Sequence, residues 1–158
     1  MNQVWPPLPP AVIVHGLTHA LAALAPGCPV TLLSAPGAAC YAGAGFWRAL
    51  VGEARRGYPA TPCIDILDCA DAPGRAFEAL AIGQKGLVLL EGTPGFAAVA
   101  GAASACGARL LAAAPPALDL ARAGAAARHL RPWLDGVTDA KAWASGAVAT
   151  DFPVGSSR

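Results

Sequence analysis

Five short apolar runs recur along this chain, and polar residues follow most of them. They cover Ala11–Val14, Val30–Leu33, Cys63–Leu67, Leu87–Leu90 and Arg109–Ala113. The segments between them have the apolar spacing of amphipathic helices, for example over Leu17–Ala25. Strand-like runs that alternate with helical segments are typical of a parallel sheet flanked by helices. The pattern therefore predicts a single three-layer α/β/α sandwich with a mostly parallel sheet of about five strands.

Two strand orders fit such a sheet when its crossovers are right-handed. The order 2-1-3-4-5 is flavodoxin-like, and the order 3-2-1-4-5 is Rossmann-like. Chain length alone favours the first. After the fifth run, Pro115 and Pro116 turn the chain into Ala117–Leu130, which is predicted to be a helix.

The length of 158 residues fits one domain with extensions at both ends. Residues 1–10 are rich in proline and predict an extended N-terminal arm. Residues 11–134 contain all of the strand and helix patterns and form the predicted α/β domain. Residues 135–158 lack a clear pattern and are predicted to be a C-terminal tail.

Charge composition limits the classes of partner. Eleven Lys and Arg residues against ten Asp and Glu residues give a net charge of +1. Nucleic-acid interfaces need clustered cations, and Arg55-Arg56 is the only adjacent basic pair, so no nucleic-acid partner is predicted. Charged residues make up only 13% of the chain, and poorly charged surfaces tend to associate. A homo-oligomer is therefore expected.

No membrane partner is predicted either. The N-terminus lacks the basic segment of a signal peptide. The longest apolar stretch, Phe96–Leu120, is interrupted by Arg109, Pro115, Pro116 and Asp119. These observations predict a cytoplasmic location. The chain has five cysteines and no CxxC pair, so neither a disulfide framework nor a metal site is predicted.

Several polar residues fall just after the predicted strands. His15 follows the first strand, Ser34 and Tyr41 follow the second, Asp68 follows the third and Glu91 follows the fourth. Ligands of open α/β sheets bind outside the carboxyl ends of the strands. The sequence therefore predicts a ligand site that contains Ser34, Tyr41, Asp68 and Glu91, with His15 beside it.

Three of these strand-end residues are the best candidates for catalysis. Asp68 could act as a general base. Cys69 lies next to it near a predicted helix N-terminus, a position that can lower the pKa of a thiol and make it a nucleophile. A Cys69–His15 pair would be within reach if strands 1 and 3 were neighbours. The alternative for Cys69 is a buried packing residue.

The segment Ser34–Gly45 is the longest connection and consists mainly of small residues. Small residues such as Gly37 let backbone amides approach a ligand, and the following helix N-terminus favours an anion. The segment lacks the Gly-Lys-Ser/Thr of a phosphate-binding loop, and Gly43-Ala44-Gly45 lacks the third glycine of a dinucleotide fingerprint. It predicts a flexible, partly ordered loop that closes over a small ligand.

Two classes of function remain open at this point. The first is a domain that binds a small metabolite, with anions among the candidates, at the carboxyl edge of the sheet. The second is a non-catalytic module for oligomerisation or protein interaction. The sequence identifies no cofactor, and it leaves open whether the protein is an enzyme, because parallel α/β folds support many chemistries.

Overall fold

The computed structural model describes residues 5–122, 124 and 128–136 of the chain. Its strands are β1 (Ala11–Val14), β2 (Val30–Ser34), β3 (Cys63–Asp68), β4 (Gly86–Val88), β5 (Arg109–Leu111) and β6 (Ala117–Asp119). Its helices are α1 (Leu17–Leu24), α2 (Ala38–Tyr41), α3 (Ala44–Gly57), α4 (Pro73–Ala81), α5 (Phe96–Ala105) and α6 (Leu130–Gly136).

All six strands pair in parallel in one sheet, in the order β5-β4-β3-β2-β1-β6. The predicted α/β sandwich built on a parallel sheet is confirmed, with six strands rather than five. Neither of the two predicted strand orders is found. From β1 to β5 each crossover advances to the next position on the same side, and the chain then returns to place β6 beside β1.

The sixth strand corrects the prediction of a helix over Ala117–Leu130. Its first three residues instead pair with β1, with Ala117 opposite Ala11 and Asp119 opposite Ile13. The two prolines before it favour an extended entry. The open edge of β1 then offers backbone partners that a helix at this position would not use. The next helix with described bounds is α6.

The helices cover one face of the sheet, so the second helix layer of the predicted three-layer α/β/α arrangement is not found among the described residues. All six described helices contribute buried side chains to a single core cluster, which also contains alternate residues of the strands. Those strand residues include Val12 and Val14 of β1 and Val30 and Leu32 of β2, as the two-residue period of a strand requires. Trp133 of α6 is part of this core, and its indole N–H donates to the Ala11 carbonyl at 2.9 Å.

The proline-rich arm runs along the opposite face. Leu8 packs there against a smaller buried cluster of Leu33, Ile66 and Val88. The arm is fixed at both ends: the Thr31 hydroxyl donates to the Pro9 carbonyl at 2.8 Å, and the Arg109 guanidinium donates to the Pro6 carbonyl. Arg109 also lies 5.1 Å from the centroid of the Trp5 ring, within reach of a cation–π contact.

The predicted C-terminal tail falls, from residue 137 onward, outside the described residues. The predicted boundaries of the arm, domain and tail stay predictions. Within the described part of the chain, no helix is both long enough and apolar enough to cross a membrane.

Candidate functional site

A cavity of about 190 Å³ opens at the carboxyl ends of β1 and β2. Its walls come from those two strand ends, from α2 and from the first turns of α3. The lining residues are Val14, His15, Ser34, Ala35, Ala38, Tyr41, Ala42, Gly43, Phe46, Trp47 and Leu50. Most of these side chains are apolar, and none is a lysine or an arginine.

The segment Ser34–Gly45, predicted as a flexible, partly ordered loop, includes helical structure. It contains α2, a single helical turn that begins after Gly37, and α3 begins at Ala44. Gly37 and Gly43 have φ angles of 66° and 85°, a region that glycine adopts without the steric cost other residues incur. The glycines thus set the turns that place α2 over the end of β2.

Two aromatic side chains stand at the mouth of the cavity. Tyr41 and Phe46 are 70% and 58% exposed, which is unusual for residues with so much apolar surface. They contrast with Trp47, which lines the inner wall and is buried. Exposed aromatic rings beside an apolar cavity are suited to contact a ligand or a protein partner.

Ser34 and Asp68 hold the cavity together rather than line it with free polar groups. The Ser34 hydroxyl accepts a hydrogen bond from the Asp68 amide at 2.9 Å and donates to the Ala35 carbonyl at 3.2 Å. Oδ1 of Asp68 accepts hydrogen bonds from the amides of Gly37 at 3.0 Å and Ala70 at 2.8 Å. The carboxylate therefore ties α2 to the end of β3.

A histidine–aspartate pair lies at the edge of the same cavity. Nε2 of His15 is 2.8 Å from Oδ1 of Asp119, across the neighbouring strand ends of β1 and β6. The backbone amide of His15 donates to Nδ1 of His19 at 3.3 Å, and the two rings meet edge to face at 5.8 Å. In the described part of the chain, Nδ1 of His15 has no hydrogen-bond partner.

Asp119 is ionised at neutral pH. Partial burial works to raise the pKa of its carboxyl, but hydrogen bonds from the Ala121 amide and His15, with the charge of nearby Arg122, outweigh burial and lower the pKa. When the imidazole is neutral, a carboxylate at this distance accepts a hydrogen bond from His15 Nε2–H, and Nδ1 is then the acceptor nitrogen of the ring. This arrangement orients the ring, and it is also one that can serve a general base.

The pair lies where ligands of α/β sheets are expected. Ligands of open α/β sheets bind outside the carboxyl ends of the strands. His15 directly follows β1, and Asp119 is the last residue of the neighbouring strand β6, so both lie at that edge of the sheet.

The other predicted site residues do not converge on the cavity. Glu91 is exposed after β4, and the structure gives it a backbone hydrogen bond to Ala112. Cys69 is fully buried, and burial, with the charges of Asp68 and Cys40 adding, raises the pKa of its thiol to about 12. Strand β2 separates β1 from β3, so the strands that carry His15 and Cys69 are not neighbours. This geometry matches a packing cysteine and disfavours a nucleophile.

Asp119 is the residue that sequence reasoning missed. It falls within the segment predicted as a helix, where an aspartate needs no functional explanation. Strand β6 places it beside β1, so its role depends on a strand of only three residues.

Among the described residues, no three His, Cys, Asp or Glu side chains are grouped closely enough to hold a metal ion. Comparison with known protein families and with curated proteins finds no match to this chain. The interpretation of the site therefore depends on its geometry.

Proposed function

We propose that the protein binds a small, uncharged molecule in the cavity at the carboxyl ends of β1 and β2. The observation that carries the proposal is the combination of an apolar cavity with one oriented polar group, His15, at its edge. Small-molecule sites are commonly apolar with a few well-placed polar groups. The absence of lysine and arginine from the lining favours a neutral ligand over an anion.

Each part of the cavity has a role in this proposal. Tyr41 and Phe46 contact a flat apolar part of the ligand, and Nδ1 of His15 accepts a hydrogen bond from its polar end. Asp119 keeps the imidazole in the tautomer that exposes this acceptor. Asp68 contributes indirectly, because it holds α2 in place.

A ligand screen with matched variants tests this function. A library of uncharged fragments is screened by saturation-transfer NMR against the wild type, Phe46→Ala and Phe77→Ala. Both phenylalanines are exposed on helices, but only Phe46 lines the cavity. We expect fragments that bind the wild type and Phe77→Ala but are lost in Phe46→Ala and His15→Ala.

Hits that bind all four proteins equally would contradict the proposal. A hit present at about a hundred times its Kd should also stabilise the wild type by about 2.7 kcal/mol. This thermal measurement separates weak surface contacts from binding to the folded site.

The same residues also support a second function, a general-base enzyme. Its specific observation is the His15–Asp119 pair, because a neutral imidazole oriented by a carboxylate can accept a proton from a bound substrate. Conversion of a bound fragment that stops in His15→Gln while binding persists would support the enzyme. Binding without conversion would support the simple receptor.

The alternative of an oligomeric interaction module remains a proposal of a different class. Exposed Tyr41 and Phe46 favour it, since an apolar rim can be covered by a second subunit as well as by a ligand. Light scattering of the wild type and of a Tyr41→Ser/Phe46→Ser variant tests it. A monomer in both would exclude this surface as an interface. All of these functions are compatible with the cytoplasmic location expected from the sequence.

A further inference from the structure

A second cavity, of about 320 Å³, lies near the amino-terminal ends of β3 and β4. It is bounded by one side of α3 and by the residues that connect α4 to β4. The lining residues are Arg48, Val51, Gly52, Arg55, Asp65, Gly83, Gln84 and Lys85. Those on α3 recur at the three- and four-residue spacing of one helix face.

The charge of this cavity is positive. Three cationic side chains, Arg48, Arg55 and Lys85, face one carboxylate, that of Asp65, which leaves a net charge of +2. The carboxyl ends of helices α3 and α4 oppose this charge by roughly half an elementary charge each. The carbonyls of Ala79 and Leu80 in α4 already accept the amides of Gln84 and Gly83, so the positive side chains dominate.

Asp65 is satisfied by the protein itself. Its side chain accepts Arg55 at 2.8 Å, the Gln84 amide nitrogen at 2.7 Å and the Trp47 indole at 3.2 Å. Arg55 and Asp65 therefore neutralise each other. Arg48 forms no ion pair with any described residue, and Lys85 donates only to the Cys106 carbonyl at 2.6 Å. Arg48 is therefore left to face a ligand, and Lys85 adds a positive charge at the wall of the cavity.

Gln84 supplies a second, independent observation. Its side chain is almost completely buried, with 2% of the residue exposed. Its amide nitrogen has three acceptors, the Asp65 carboxylate, the Asp65 carbonyl and the Gly86 carbonyl. Its carbonyl oxygen, Oε1, accepts no hydrogen bond from any described residue. Buried acceptors are usually satisfied, and Gln84 lines the cavity, so Oε1 can accept a hydrogen bond from a molecule bound there.

Gly52 keeps this cavity open. It lies in the interior of α3, where glycine is unfavourable relative to alanine. A Cβ atom built at this position would meet nothing within 4 Å, so packing does not require the glycine. A larger side chain at position 52 would extend into the open space that Gly52 lines.

We propose that this cavity binds a small oxyanion that keeps a proton at neutral pH, such as hydrogen phosphate. Arg48 and Lys85 attract the charged oxygens, and Gln84 Oε1 accepts a hydrogen bond from the protonated oxygen. Asp65 positions Gln84 and Arg55 and does not touch the anion. The site lies toward the amino-terminal ends of the strands and is separate from the cavity at the carboxyl ends of β1 and β2.

Inorganic phosphate is the probe, with sulfate as the competing anion at the same ionic strength and neutral pH. Phosphate keeps an O–H group under these conditions, whereas sulfate has none to donate to Gln84. Isothermal titration calorimetry on the full chain should therefore give phosphate a Kd about tenfold lower than sulfate. Arg48→Gln should weaken phosphate binding by about tenfold or more, and Gly52→Leu should abolish it by filling the cavity.

Arg56→Gln is the matched control, because Arg56 is an exposed arginine on the same helix that pairs with Glu53 and does not line the cavity. It should leave the Kd unchanged, as should His15→Ala. Equal losses in Arg48→Gln and Arg56→Gln, equal affinity for sulfate, or loss of binding in His15→Ala would each overturn the proposal. Circular dichroism shows whether each variant folds. If Gly52→Leu does not fold, the phosphate affinity of Arg48→Gln tests the proposal without it.

Discussion

Replacement of Asp68 by alanine should destabilise the protein and also loosen helix α2, which forms one wall of the cavity at the ends of β1 and β2. Oδ1 of Asp68 accepts the amides of Gly37 and Ala70, and the residue is only 6% exposed. Hydrogen bonds to charged groups contribute about 1.5 kcal/mol or more each, and water cannot readily replace a partner at such a buried position. We expect Asp68→Ala to lower the free energy of unfolding by about 3 kcal/mol.

Asp68→Asn separates hydrogen bonding from charge. Both amides donate to the same oxygen, and the asparagine side-chain carbonyl can replace that acceptor. We expect this variant to lose only about 1 kcal/mol, the difference between a charged and a neutral acceptor. Asp71→Ala is a control on the same connection, and because Asp71 is exposed its effect should stay within about 0.5 kcal/mol.

Urea denaturation followed by circular dichroism gives these free energies. Hydrogen exchange of the Gly37 and Cys40 amides reports on α2 directly, and it should accelerate in Asp68→Ala more than in Asp68→Asn. A loss below about 1 kcal/mol in Asp68→Ala, or equal losses in the alanine and asparagine variants, would refute the role assigned to this carboxylate.

Three further predictions follow from single residues. The pKa of Asp119 lies below its ordinary value of 3.8, so its contribution to stability is present above that pH and is lost as the pH falls through the lowered value. Asp119→Asn should therefore remove about 0.5 kcal/mol at neutral pH and flatten the acid limb of the stability curve; an unchanged acid limb would contradict it. Cys69, with its pKa raised to about 12, should react with iodoacetamide far more slowly than exposed Cys106, as measured by mass spectrometry, and equal rates would show that it is accessible. Gly86→Ala should cost about 3 kcal/mol in urea denaturation, because a Cβ atom there would lie 2.4 Å from the Asp65 carbonyl oxygen; a neutral effect would show that the strands move apart easily.

The sheet could be predicted because each central strand has a recognisable apolar pattern in its own short stretch of sequence. Leu87–Leu90 is a continuous apolar run and Val30–Leu33 is interrupted only by Thr31, as expected for strands covered on both faces. Their order in the sheet depends on where each crossover returns, and nothing in the runs themselves encodes this. The same reasoning explains why β6 was missed, since its partner β1 lies more than 100 residues earlier in the chain.

The location of the candidate site could be predicted from the sequence more easily than the roles of its residues. The structure places His15, Ser34 and Tyr41 around one cavity, as the strand-end argument expects, while their part in ligand binding stays a prediction. Ser34 and Asp68 are polar for structural reasons that only the folded contacts reveal. Asp65 did leave a signal: it is a carboxylate inside the apolar run of β3, on the face that the helices cover.

The position of β6 has a consequence for how the chain assembles during synthesis. His15 and Asp119 are 104 positions apart, and the second emerges from the ribosome after five strands are already available to pair. Until then β1 is an exposed edge strand, which can pair with another chain. A nascent or truncated chain that ends before residue 117 therefore lacks the partner that orients His15, and its β1 strand keeps an unpaired edge. The addition of β6 completes the histidine–aspartate pair and covers this aggregation-prone edge in the same step.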